Sequence, residues 1–157
     1  MAIPAFDEYG NLRPGVHEAT WDEIVDRFGG TTERRRLLSP LRTALDLLAA
    51  CGCRRAWIDG SFITDVEAIE GRSPRDVDVC WDLAGVDLDR LTVVAAELHP
   101  LLGMRDAAIR RFGGDYSPVL EPLVLGLVVD FQVDRQNRPK GIVQLSLTSV
   151  GEGGDGR

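Results

Sequence analysis

The chain is 157 residues long, enough for one hydrophobic core and short for two comfortable domains. Its apolar share of 44% and charged share of 27% are those of an ordinary globular protein, and no apolar run approaches the roughly 20 residues that cross a bilayer. A net charge of −7 argues against broad electrostatic binding to nucleic acid, where a basic face is the usual footprint, though not against a nucleic acid held locally.

The first residues, "MAIPAFDEYGNLRPG", have neither the basic n-region nor the apolar h-region of a signal peptide, so a cytoplasmic location is expected. The three cysteines agree: Cys51 and Cys53 are too close to bridge easily, and Cys80 lies inside an apolar run, so reduced thiols are expected. His17 and His99 stand alone, which leaves no zinc ligand set.

The first nineteen residues carry Pro and Gly at turn spacing and read as an ordered arm or loop. Thr20 and Glu23 then fit a capping box, which predicts a short helix from Trp21 to Phe28 that stops at Gly29-Gly30. A second helix starts behind Thr31 or Thr32, with Glu33 at the positive end of its dipole. Its stripe is Leu37, Leu38, Leu41, Ala44, Leu45 and Leu48. Pro40 is expected to kink or divide this helix, and Gly52 to end it. The basic runs "ERRRLL" and "RDAAIRRF" read as the wet faces of helices.

"RRAWID", Arg54 to Asp59, is a short strand. The connector "ITDVEAIEGRSPR" predicts one helical turn and a loop. "DVDVCWDL" is a second strand, with Val77, Val79 and Trp81 on one face and Asp76, Asp78, Cys80 and Asp82 on the other. From Asp87 a helical period returns and ends near Pro100, and "GMRDAAIRRFGGDYSP" reads as part helix and then a Gly-Gly turn. "LVLGLVVDFQV", Leu123 to Val133, is β-rich; "DRQNRPKG" turns and "IVQLSL" returns, which predicts a hairpin.

No internal repeat is visible. Residues 1–150 form a single domain, with an N-terminal arm and helices over 1–52, and the tail 151–157 is expected to be disordered. The fold class is α/β or α+β, with helices packed on a mixed sheet of four to five strands.

Asp76 and Asp78, at i and i+2 on a strand, point the same way and bring two carboxylates within reach of one cation. Mg²⁺ prefers such oxygen ligands, usually one or two carboxylates completed by waters and substrate phosphates. Alone the pair is weak evidence, since the chain has sixteen aspartates. A like pair, Asp87 and Asp89, is better read as a helix cap. What lifts Asp76 and Asp78 is Gly60-Ser61 at the end of the preceding strand. A glycine there lets backbone amides approach a phosphate closely, and the hydroxyl donates.

A strand, a Gly-Ser turn, a connector and a strand bearing Asp-apolar-Asp-apolar resembles the DNA polymerase β-like nucleotidyltransferase superfamily. Here the motif reads "IDGSF" and then "DVDV", with fourteen residues between Ser61 and Asp76, a spacer slightly longer than usual. More narrowly, "IPAFDEYGNLRPGVHEATWDE", "GCRRAWIDGSF", "DVDVCWD", "FGGDY" and "QNRPKGIVQL" resemble a small bacterial family of unknown function within that superfamily, over nearly the full length.

The resemblance implies a nucleotidyltransferase-like fold and a Mg²⁺-dependent transfer of an NMP from an NTP to a hydroxyl on protein, RNA or a small molecule. It also implies a setting such as a toxin–antitoxin or defence pair, with a protein partner encoded nearby. Asp76 and Asp78 would hold metal in a two-metal site, and Gly60 and Ser61 would cradle the triphosphate. The third carboxylate has two candidates: Asp130 in strand context, and Asp115 at a turn. Asp130 is preferred because a strand fixes a carboxylate better than a loop. Arg72, Arg75, Arg138 and Lys140 are the cations available to the phosphates. Asp59 and Asp82 flank the motif, as its supports or as solvated residues. Trp57 and Trp81 read as core rather than as base-stacking platforms. The alternative is a catalytically weak nucleotide-binding or regulatory, antitoxin-like protein of the same fold.

Overall fold

Thr20 closes its capping box as expected: its hydroxyl accepts from the Glu23 amide at 3.2 Å, and the Glu23 carboxylate accepts from the Thr20 amide at 2.9 Å. Helix α1, Trp21–Phe28, follows, and Thr31 caps α2, Thr32–Ala50, by accepting from the Arg34 amide. The helix α2 runs on through Pro40, so the expected division does not occur. A mid-helix proline costs about 3 kcal/mol. Buried Leu38, Leu41, Leu45 and Leu48 contribute roughly 1.5–3 kcal/mol each, and they lie on both sides of it.

The computed structural model describes residues 3–120 and 133–147. It is a mixed α+β fold, a five-stranded sheet with helices packed on it, as the sequence led us to expect. The strands are β1, Gly15–Ala19; β2, Arg55–Asp59; β3, Val77–Asp82; β4, Gly114–Val119; and β5, Gly141–Ser146. Their order is β1-β5-β2-β3-β4. Strand β2 runs antiparallel to both β5 and β3, while β1 is parallel to β5 and β4 to β3. A parallel pair needs a long crossover. Between β3 and β4 it consists of α4, Leu88–Ala95, a 3-10 turn, and α5, Arg105–Phe112. Between β2 and β3 lie the 3-10 turn Ser61–Ile63 and the single helical turn α3, Val66–Glu70, the latter as expected.

Two strands correct the sequence reading. The arm contains β1, whose short, polar "GVHEA" becomes a strand only by pairing with β5. The segment "GDYSPV", read as following a turn, is β4. Its Gly and Pro lower β-propensity, but β4 pairs only with β3 among the described residues, and an edge strand tolerates a missing N–H at Pro118. The strand expected to pair with "IVQLSL" in a hairpin lies almost wholly outside the described residues, as does the tail. Strand β5 itself forms, and a bridge from Val133 to Pro139 closes the turn before it.

The core lies between the helices and one face of the sheet, where Ile58, Val79, Trp81 and Val143 meet Phe28, Leu41, Leu45 and Phe112. The opposite face carries a smaller buried cluster of Trp57, Cys80, Val119 and Ile142. Both tryptophans are therefore core residues, on opposite faces, and Trp57 donates to Gln144. All three cysteines are free and buried. Among the described residues no helix is long and apolar enough to cross a membrane.

The run "ERRRLL" is not all wet face. Arg34 is only 6% exposed. Its guanidinium donates to the carbonyls of Phe62 and Thr64, each at 2.6 Å, and to that of Phe28. It also forks onto Glu67 at 2.7 and 2.9 Å. One side chain thus ties α2 to the chain that follows Gly60-Ser61. The "RDAAIRRF" run does behave as expected, with Arg105, Arg110 and Arg111 exposed. Arg34→Ala leaves three carbonyls and a carboxylate without their donor and should destabilise the fold by about 3 kcal/mol in urea denaturation. Arg34→Lys should recover only part of that, because one ammonium cannot span the same fork. A loss below about 1 kcal/mol would show that the clamp is dispensable.

Candidate functional site

Strand β2 ends at Asp59, and Gly60 follows with φ 82° and ψ −164°, backbone that is essentially open to glycine alone. A Cβ at Gly60 would overlap Asp78 Oδ2 and lie 3.0 Å from Asp78 Cγ. The glycine is there so that the turn can lie directly against the carboxylate of the neighbouring strand. The turn is secured by Thr64, whose hydroxyl donates to the Gly60 carbonyl at 3.0 Å.

The sheet register then builds an acidic row. Asp59 pairs with Asp78, and Asp78 pairs with Asp115. Paired residues share a face of the sheet, so the three carboxylates line up across β2, β3 and β4. Two have counter-ions: Lys140 Nζ lies 2.8 Å from Asp59 Oδ1, and Arg105 lies 3.2 Å from Asp115. Among the described residues Asp78 has none. Burial, with the charges of Asp76, Asp59 and Asp115, pushes the Asp78 carboxyl up to about 6, against a smaller opposing effect of Lys140. Burial also raises Asp59, which is 8% exposed, while Lys140 and the Gly60 amide pull it down.

Asp115 therefore sits on a strand and not at a turn, which corrects the sequence reading. The reason for preferring Asp130 no longer separates the two, and Asp130 itself lies outside the described residues. Asp82 belongs elsewhere: it pairs with Arg55 at 3.0 Å and caps the Ala84 amide at the far end of β3. Asp87 caps α4 by accepting from the Arg90 amide, as expected from the sequence.

A cleft of about 920 Å³ opens in front of this row. It brings together Gly60, Ser61, Arg72, Arg75, Asp76, Asp78, Arg138 and Lys140, all singled out from sequence, but not Asp115. It also brings in Tyr9, Asn11 and Asp134, which the sequence reading missed. Their signal was present: "DEYGN" and "DRQNR" both set an Asp three residues ahead of a Gly or Asn that accepts a left-handed backbone. Among the described residues no three acidic, His or Cys side chains form a ready three-ligand metal site. Asp76 and Asp78 nonetheless suit a hard cation, since Mg²⁺ commonly takes one or two carboxylates and completes its shell with waters and phosphates.

The raised Asp78 sets the sign of a pH effect. Between about pH 4 and 6 the folded protein holds a proton that the unfolded chain has released, so stability falls as pH rises through that window. In metal-free buffer at pH 7.5, Asp78→Asn should stabilise the protein by about 1–3 kcal/mol, and the gain should vanish below pH 4. A variant no more stable than wild type at pH 7.5 would contradict this. Gly60→Ala meets both the strained backbone and Asp78, and thermal unfolding should report a loss of about 1–3 kcal/mol. Unchanged stability would mean that the turn can move off the carboxylate.

No curated protein and no solved structure matches the chain. Residues 4–146, which carry the N-terminal arm, the Gly-Ser turn, the acidic row and the turn at Asp134, match DUF6932, described only as a family of unknown function, and the chain belongs to that family.

Proposed function

We propose that the cleft is the active site of a Mg²⁺-dependent nucleotidyltransferase, which moves an NMP from an NTP to a hydroxyl on a protein, an RNA or a small molecule. The observation that carries this reading is the close packing of the Gly60 turn on Asp78, with Asp76, Arg72 and Arg75 in the same cleft. It sets phosphate-binding and cation-binding groups side by side, which is what nucleotidyl transfer needs.

Asp76 and Asp78 would hold Mg²⁺, with Asp115 or Asp130 as the third carboxylate. The metal, when bound, supplies charge neutralisation for the phosphates and polarisation of the attacked phosphorus. The chain's own residues do the rest. Gly60 opens room for the phosphates, and the Ser61 hydroxyl donates to them. Arg72 and Arg75 supply positive charge at the rim. The acceptor oxygen bonds to the α-phosphorus, the bond to the bridging oxygen breaks, pyrophosphate leaves, and the acceptor's proton passes to a site carboxylate or to water. A setting in a toxin–antitoxin or defence pair belongs to this proposal as its biological expectation.

A second reading has its own observation. Asp115 is tied to Arg105 and Lys140 to Asp59, so a carboxylate and a cation are already engaged. That favours a weak or inactive site that binds nucleotide for regulation.

The test incubates the purified protein with each α-³²P-labelled NTP, Mg²⁺ and cell lysate as acceptor source. Label should appear on protein or RNA and be absent with Asp76→Ala/Asp78→Ala. No label, with metal-dependent nucleotide binding by calorimetry, would sink the transferase in favour of the regulatory reading. Neither label nor binding would sink both.

A further inference from the structure

Residues 7–11 and 134–138 fold into one and the same turn, which the sequence reading, finding no internal repeat, passed over. In the first, Asp7 Oδ1 accepts from the amides of Tyr9 at 2.8 Å and Asn11 at 3.0 Å. In the second, Asp134 Oδ1 accepts from the amides of Gln136 at 2.9 Å and Arg138 at 2.8 Å. The Asp amide donates to the carbonyl four residues on in both, at 2.8 Å. The fourth residue is left-handed in both, Gly10 at φ 78° and Asn137 at φ 62°. A single β-bridge closes each turn, Phe6 to Leu12 and Val133 to Pro139.

These turns lead into β1 and β5, which are parallel neighbours, so they arrive side by side at one wall of the cleft. Asn11 Nδ2 donates to Asp134 Oδ2 at 3.0 Å and joins them. Arg138 then lies over the Tyr9 ring, its guanidinium carbon 4.1 Å from the centroid. The guanidinium is fixed there by Asp134 at 2.7 Å and Gln136 at 3.1 Å.

This arrangement changes what Arg138 is for. Its charge is paired with Asp134, and its Nε and one Nη are held by Asp134 and Gln136, which fixes its plane and leaves it a weaker phosphate ligand than an unpaired arginine. What it still offers the cleft is a flat cationic face, stacked on the ring of Tyr9, a residue that is 43% exposed. A stack held rigid before binding, by two fully bonded turns, loses little entropy when a ligand adds to it. Arginine and aromatic faces together are the surfaces on which planar bases stack.

We infer that Tyr9 and Arg138 form the platform for the planar ring of the ligand, a nucleobase, while its phosphates lie toward Gly60-Ser61 and Asp76-Asp78. The inference rests on the nucleotide reading and adds to it which wall takes the base. Tyr9 and Arg138 contribute affinity for the ring and none for the phosphates.

The test compares Mg·ATP with Mg·tripolyphosphate by titration calorimetry on wild type, Tyr9→Phe, Tyr9→Leu and Tyr9→Ala. The turn at Asp7 is held through the Tyr9 backbone amide, so these variants keep its hydrogen bonds. Tyr9→Ala and Tyr9→Leu should weaken ATP about tenfold or more and leave tripolyphosphate within twofold, while Tyr9→Phe binds as wild type. Equal weakening of both ligands would make Tyr9 a structural residue, and no weakening of either would make it a bystander; each overturns the platform. Wild type binding tripolyphosphate as tightly as ATP would overturn the platform and leave the phosphate site standing. Wild type binding neither would overturn both.

Discussion

Everything at the site depends on a contact with no room in it. Asp78 lies against the Gly60-Ser61 turn, whose first residue is held to glycine because a side chain at position 60 would overlap the Asp78 carboxylate. The contact keeps that carboxylate half-buried, in line with Asp59 and Asp115, and without a counter-ion among the described residues. A fold selected for stability alone would have paired it or replaced it. Natural proteins accept such local destabilisation mainly at functional sites.

The rest of the architecture holds that contact in place from three directions. The antiparallel register of β2 and β3 brings Asp59 level with Asp78, and the parallel crossover through α4 and α5 adds Asp115. Arg34 reaches from α2 to the carbonyls of Phe62 and Thr64 and to Glu67, which fixes the chain leaving the turn. Parallel pairing of β1 with β5 brings residues 7–11 and 134–140, which are far apart in sequence, together at the cleft, where Lys140 meets Asp59. The helices and the main core lie behind the sheet and serve the cleft by keeping this register.

What could be read from sequence was what local chemistry determines. The Thr20 capping box, the Thr31 cap, the leucine stripe of α2 and the alternation of "DVDVCWD" each declare themselves within a few residues, and the Gly60-Ser61 and Asp76-Asp78 pairing sits on those secure elements. What escaped depends on partners distant in sequence. Strand β1 is polar, and β4 is interrupted by Gly and Pro, so neither looks like a strand until its neighbour is present. Arg34 looks like one cation in a wet basic run; only the fold supplies the three carbonyls and the carboxylate that bury it. The same limit hid Tyr9 and Asn11, which were read as part of an ordered arm or loop.

The distribution of charge in the cleft decides which kind of ligand suits it. Three of its cations are engaged internally: Arg72 with Glu70, Arg138 with Asp134, and Lys140 with Asp59. Among the described residues, Arg75 and Arg135 form no ion pair, and neither do Asp76 and Asp78, although all four line the cleft. A simple anion would be drawn to the two arginines but repelled by the two carboxylates, and a bare cation would meet the reverse. Under the proposed function, a polyphosphate that carries a divalent cation would satisfy both sets together: Asp76 and Asp78 would hold the cation, which would supply charge neutralisation, and the arginines would meet the remaining negative charge. The overall charge of −7 works in the same direction. It opposes the entry of highly charged anions that arrive without a counter-ion, so under the proposed function metal and phosphate would enter best as one partly neutralised unit.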